Sequence, residues 1–399
     1  MKGFRRAFKY ILLLGLFWFT AATLMPFITT IFHGFGYENA LIGRLMMIAG
    51  LCSMVAAPVW GSLCDSFQKV RAILIFCAAG GMASAAALPF AAERVWVAAV
   101  TVVIFYLTFM ALSYILDVWV IRLASEGEPI NYASVRAFGS LGYAIGGPLG
   151  GWLIASYGVG HIPVVFPLLS VSLIAVSLFI RNPKKIAVKG ETQSVLNTAK
   201  ALAGNRTYRF FLLACFLVFL GTNGVYSFLP IHMIGEKVGG TSRSYGIFIF
   251  LTGAVEVPML FIYKRLSRML SHGRCLAIAL FFQFARLIIV GLAPNMAVMY
   301  LATLAYMLSW GLHIGAVGGF LPEIVNVRLL FTAQTVSQAF ASGMASIISN
   351  FFAGSIADSI GVDGMILRFS MFPLAGFFVF ILFCRKKVGR VVNDSATGD

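Results

Sequence analysis

Charge is what this chain has least of. Only 11% of its 399 residues are Asp, Glu, Lys or Arg, where soluble domains carry about 25%. Acids are scarcest, at 14 against 30 basic residues. A water-soluble enzyme or a disordered segment of this length needs far more polar surface, so both classes are excluded. The six cysteines are scattered through apolar runs without a CxxC pair, which excludes a disulfide scaffold and leaves them as small core residues. The five histidines form no ligand set, and no HExxH or GxSxG run occurs. An enzyme, a metal site and a cofactor are therefore not expected. A small-residue cleavage site after the first apolar run is also missing, so residues 1–32 read as a first span and not as a signal peptide.

What the chain has in abundance is hydrocarbon. Sixty per cent of it is apolar and the mean hydropathy is +0.92. That supplies roughly twelve stretches of ~20 residues, the length that crosses a bilayer core. The runs are continuous rather than alternating, which excludes a β-barrel. The expected fold class is all-α integral membrane, with spans near 10–32, 41–61, 72–92, 95–121, 133–155, 162–180, 208–231, 243–263, 275–293, 297–321, 332–357 and 364–384. A polar, basic stretch at 181–207 separates six spans from six. The expected domains are an N-terminal bundle (1–180), a central loop (181–207) and a C-terminal bundle with a short tail (208–399). Two such halves are the internal-repeat layout of a transporter.

The formal charge of +16 does not point to nucleic acid, because the basic residues fall between apolar runs. With the N-terminus inside, 24 basic residues fall in inner segments and 4 in outer loops. The positive-inside rule then puts both termini in the cytoplasm. Localisation in the cell (inner) membrane and a monomeric chain are expected.

Ionisable groups inside spans need a reason, since each costs at least ~2.5–3.5 kcal/mol at a helix centre. Glu256, Arg286 and His313 fall at similar depth, roughly 10–17 Å from the inner face at 1.5 Å per residue. Asp117, late in span four, can face Arg136, early in span five. Tyr143 follows Arg136 on the same helix face after seven residues. A cation and an aromatic ring opposite a carboxylate form a clamp for a hydroxylated or ring-bearing solute. Arg44 is near the outer surface and can snorkel.

The run Gly61-Ser62-Leu63-Cys64-Asp65, followed by Lys69 and Arg71, resembles the loop between the second and third helices of the major facilitator superfamily. In that superfamily it forms an inner gate, which points to Gly61, Asp65 and Arg71. A closer resemblance, to the lactose-permease and phenylpropionate-permease branch of oligosaccharide:proton symporters, rests on three segments. They are Ala57-Pro58-Val59-Trp60-Gly61, Ser134 to Tyr143, and Gly354 to Gly361. That resemblance implies two six-helix bundles, alternating access, and substrate contacts from Asp117, Arg136, Tyr143 and Glu256. It also implies a proton-coupling role for Arg286. Asn223 and Tyr226 stand where the lactose permease has acids on span seven, and both are expected to contact the substrate. Ala302, Ala305 and Leu308 stand where it has Lys, His and Glu on span ten, so the expected proton site is Glu256, with Asp117 and the displaced His313 as rivals. Tyr143 replaces a Trp, which argues against a galactoside. The expected activity is proton-coupled symport of a sugar or related small polar organic solute. The alternative is a drug or metabolite:proton antiporter, whose GPxxGG pattern is met one residue short at Gly147-Pro148-Leu149-Gly150-Gly151.

Overall fold

The computed structural model describes residues 2–67, 69–128, 130, 132–183, 202–326 and 329–388. Among them every regular element is a helix and no strand occurs. Hydrocarbon offers backbone N–H and C=O groups no partner, so a helix that satisfies them internally is the structure these runs adopt. The chain is a multi-pass membrane protein.

In the first half the helices are α1 (Lys2–Leu24), α2 (Ile28–Gly34), α3 (Asn39–Phe67), α4 (Val70–Ala87), α5 (Val95–Leu107), α6 (Leu112–Ser125), α7 (Tyr132–Tyr157) and α8 (Ile162–Leu178). They are followed by α9 (Arg206–Ile234), α10 (Ser242–Met269), α11 (His272–Leu292), α12 (Met296–Tyr306), α13 (Leu312–Ile324), α14 (Leu330–Ser337) and α15 (Ala345–Val388). Two π-helical turns, Met307–Gly311 and Gln338–Met344, join α12 to α13 and α14 to α15.

Nine stretches among the described residues are long and apolar enough to cross a membrane. Val135–Leu178 has 44 residues and Thr332–Cys384 has 53, twice what one crossing needs. Each is broken by a glycine in the left-handed region, Gly158 (φ 60°) and Gly361 (φ 80°). Glycine adopts that conformation without a steric penalty, so the helix is interrupted there. Helix α10 is long enough to cross, at 28 residues, and carries Glu256 and Pro258 in its middle.

The chain divides into two compact units, Met1–Val188 with Ser227–Gly253, and Lys189–Tyr226 with Ala254–Asp399. In the first, α7 lies along α1. Gly139, Gly142, Gly146 and Gly150 follow one another at helical spacing, and each faces α1. A Cβ on Gly142 would stand 2.2 Å from the Gly15 carbonyl oxygen, and one on Gly146 2.4 Å from that of Phe19. No side chain fits between backbones this close. Beside the contact, Phe17, Phe105, Phe109 and Phe166 form an aromatic core, with Phe109 and Phe166 centroids 4.8 Å apart. The end of α8 is tied down by polar groups. Trp119 Nε1 donates to the Arg181 carbonyl at 3.0 Å, and Arg71 donates to Ile180 O and, through its backbone N–H, to Asn182 Oδ1. Arg181 pairs with Glu126 and, at 3.0 Å, with Glu128, whose carboxyl it holds below the usual range. In the second unit α11 packs on α12, α13 and α15 around Phe211, Phe320 and Phe380, all buried. All six cysteines are buried, and none is in a disulfide.

The α1–α7 contact can be tested by volume. Gly142→Val forces a branched side chain against Gly15 backbone and should cost about 3 kcal/mol, the upper end for overpacking. Gly61, where an added Cβ meets nothing within 4 Å, is the control. In a thermal melt of purified protein, Gly142→Val should melt well below wild type and Gly61→Ala with it.

Candidate functional site

In the first unit the structure brings Asp117, Arg136 and Tyr143 to one place. Arg136 Nε stands 3.9 Å from Asp117 Oδ1, and both side chains keep about a third of their surface accessible, at 35% and 27%. At that separation the two ions attract without a hydrogen bond between them. Asp117 Oδ1 is buried and has no hydrogen-bond partner. Tyr132 provides the carboxyl with one side-chain hydrogen bond.

Trp18 completes the group, and sequence reasoning missed it. The Arg136 guanidinium lies over the Trp18 ring, 4.9 Å from its centroid. Trp18 in turn meets Tyr143 edge-on, with centroids 6.0 Å apart. The ring fits because residue 139 is glycine: a Cβ there would stand 2.7 Å from Trp18 Cδ1. The Tyr143 hydroxyl reaches Met25 Sδ at 4.0 Å. A signal for this was present. Trp18 on α1 and Met25, in the 3-10 turn that follows it, are seven apart, as Arg136 and Tyr143 are on α7, so the two packed segments present matching pairs.

In the second unit Arg286 is 1% exposed. Its Nη2 donates to the Tyr226 hydroxyl at 2.6 Å. The guanidinium lies between two rings, 4.9 Å from Tyr226 and 5.2 Å from Tyr306. Arg286 Nε is buried without a hydrogen-bond partner. Glu256 lies within electrostatic reach of the Tyr226 hydroxyl. The Tyr226 hydroxyl, expected to touch substrate, accepts from Arg286. Tyr306 carried no sequence signal, because it joins Arg286 from a different helix.

The remaining candidates are more dispersed. Asn223 Nδ2 donates to the Ser342 carbonyl at 3.1 Å and joins α9 to the second π-helical turn. His313 is 5% exposed, stacked on Trp310 with rings 9° from parallel, and its Nδ1 has no partner. Arg44 is exposed, as snorkelling requires. Of the gate loop, Gly61 and Arg71 are described, and Arg71 is bonded to the end of α8. The Asp65 side chain, residues 184–201 and residues 389–399 lie outside the described residues. Among the described residues no group of three His, Cys, Asp or Glu could hold a metal ion.

Comparison with known proteins settles the family. The profile of the MFS_1 like family matches residues 9–369, nearly the whole chain. The chain belongs to that family. It is a major facilitator superfamily transporter, not an enzyme. Among its relatives is a maltose permease of Geobacillus stearothermophilus, 25% identical over 359 residues that cover 88% of this chain and 87% of the permease. The crystal structure of the nucleoside transporter NupG has the same fold, with a TM-score of 0.78 at 13% identity over 95% of this chain and 99% of NupG. So does a bacterial homologue of the human lysosomal transporter Spinster, captured inward-facing and unoccupied. Its TM-score is 0.70 at 13% identity, over 96% of this chain and 97% of that one.

The Arg286 site yields a prediction that separates support from contact with solute. Tyr226→Phe keeps the ring that faces the guanidinium but removes the oxygen that accepts from Nη2. A buried hydrogen bond to a charged group is worth about 1.5–3 kcal/mol. The transporter should melt lower by that margin, whereas Tyr226→Phe with unchanged melting would show that water or another group satisfies Arg286.

Proposed function

We propose that this transporter carries a sugar or a closely related small polyhydroxylated solute, by alternating access and in symport with protons. The reading rests on the gap between Arg136 and Asp117. Two opposite charges 3.9 Å apart, one with a buried oxygen lacking any donor, leave a place for a hydroxyl group that donates to Asp117 and accepts from Arg136. The Trp18 and Tyr143 rings beside it offer the flat apolar surface that the C–H face of a sugar ring needs. The maltose permease relative supports the same class of solute.

The two halves, 1–180 and 208–399, each contribute six spans in this reading, with both termini cytoplasmic in the inner membrane. It is supported by the two glycine breaks in the over-long stretches, by α10 as a further crossing and by the distribution of basic residues. The coupling ion is the proton and the carrier site is Glu256. An apolar surrounding favours the neutral acid, and a guanidinium nearby favours the carboxylate. The Arg286 guanidinium donates but does not accept, so its part is to bias that equilibrium. His313 and Asp117 are the rival sites. The chain works as a monomer.

Two experiments test the reading. Arg136→Lys retains the charge but loses the planar fork, and Asp117→Asn loses the charge. Each should weaken uptake of maltose or a related sugar into vesicles by at least about tenfold, since hydrogen bonds to charged groups are worth about 1.5–3 kcal/mol. Unchanged affinity in both variants rules out the clamp, and outward movement driven by an inward proton gradient would make the protein an antiporter. Separately, Glu256→Gln should abolish gradient-driven accumulation while leaving downhill exchange. Full accumulation in Glu256→Gln, with its loss in His313→Ala or Asp117→Asn, would move the proton to one of those residues.

A further inference from the structure

The second unit contains a cavity of about 280 Å³, to which the transport reading assigns no ligand. It is lined by α9, α13 and α14, with the two π-helical turns at its edge, and its mouth is open beside Gly318, Gln334 and Gln338. A π-turn widens a helix by one residue and is found mostly where a helix makes room for a function. Trp310 sits in the first of these turns and Gln338 opens the second.

The lining defines what would fit. Trp310 and His313 are parallel at 5.6 Å, and Phe219 stands edge-on to both. Gln334 and Gln338 contribute amides. No Asp, Glu, Lys or Arg lines the cavity among the described residues, so an ionic ligand would lose its hydration without a counter-charge. Most of the wall is apolar. A bare sugar, with a hydroxyl on nearly every carbon, would leave several of them unpaired there, at a cost of about 1–3 kcal/mol each. One polar atom does lack a partner. His313 is 5% exposed and its Nδ1 is buried and unbonded. In the tautomer that carries its proton on Nε2, this nitrogen is an acceptor, and a ligand N–H or O–H would satisfy it.

We propose that this cavity is a second ligand site, for a neutral aromatic molecule of one or two rings with a single N–H or O–H donor directed at His313 Nδ1. The size agrees: an apolar cavity of about 150 Å³ holds benzene, so nearly twice that volume holds two fused rings. The site is built from residues of the second unit, and the Asp117–Arg136 clamp from residues of the first.

Indole and benzofuran make the test, since they share a shape and only indole donates. Binding is measured by calorimetry on the full chain in phospholipid nanodiscs, with empty nanodiscs as blank. Indole should bind saturably, one per chain, and benzofuran about tenfold more weakly, the equivalent of one hydrogen bond. Gly318 lines the cavity, and a Cβ there would meet nothing within 4 Å, so Gly318→Leu fills the space without a backbone clash. It should abolish indole binding while the melting temperature stays at or above wild type. His313→Phe retains a ring without the acceptor and should erase the difference between indole and benzofuran, which keeps the test decisive if Gly318→Leu does not fold. Arg136→Lys should leave indole binding intact. The proposal is overturned by absent or non-saturable indole binding, or by benzofuran binding as tightly as indole. Indole binding that survives in folded Gly318→Leu, or is lost in Arg136→Lys, overturns it as well. Maltose binding that disappears in Gly318→Leu would assign the cavity to sugar instead.

Discussion

A guanidinium removed from water has to be given something to lie on, and two arginines of this chain impose that requirement on their surroundings. Arg136 lies on Trp18, and Arg286 lies between Tyr226 and Tyr306. The negative face of an aromatic ring repays part of the lost hydration, by about 2 kcal/mol or more where water is excluded. The two sites differ in what else they offer. Arg286 is enclosed and spends a donor on the Tyr226 hydroxyl. Arg136 is partly open and faces a carboxylate it does not touch. The first arrangement suits a fixed charge that influences its neighbours, and the second suits a charge that waits for a solute.

The Arg136 site exists because α1 and α7 approach to backbone contact. Glycines at 139, 142, 146 and 150 take away the side chains that would hold the helices apart. In hydrocarbon there is no hydrophobic drive to bring helices together, so close van der Waals packing has to supply it. The same absence of side chains that lets the backbones meet also opens the slot that Trp18 fills. Stability and site geometry thus share a cause, and a volume change on this helix face disturbs both.

Much of this was legible in the amino-acid sequence. The apolar share alone excludes a soluble fold, and the scarcity of charge makes each intramembrane ion conspicuous. Asp117, Arg136 and Tyr143 could be paired in advance because they occur in neighbouring spans at helical spacing, and the structure brings them together. Trp18 escaped because it looks like any other large apolar residue of a first span. Tyr306 escaped because nothing in its own helix marks it. Sequence depth placed Glu256, Arg286 and His313 at one level, but depth says nothing about the direction a side chain takes around the helix. His313 stacks on Trp310, while Arg286 engages Tyr226.

The sequence by itself determined the class of solvent this protein folds in, the helical character of its spans and the small set of ions worth attention. Those follow from composition and from periodicity along one chain, which are local properties. Which aromatic ring lies under which arginine, that Tyr226 is taken by Arg286, and that a cavity opens between α9, α13 and α14 were decided only by the tertiary structure. Each depends on the rotation of one helix about its axis relative to another. That rotation is set by packing between residues tens to more than a hundred positions apart, so no single segment encodes it.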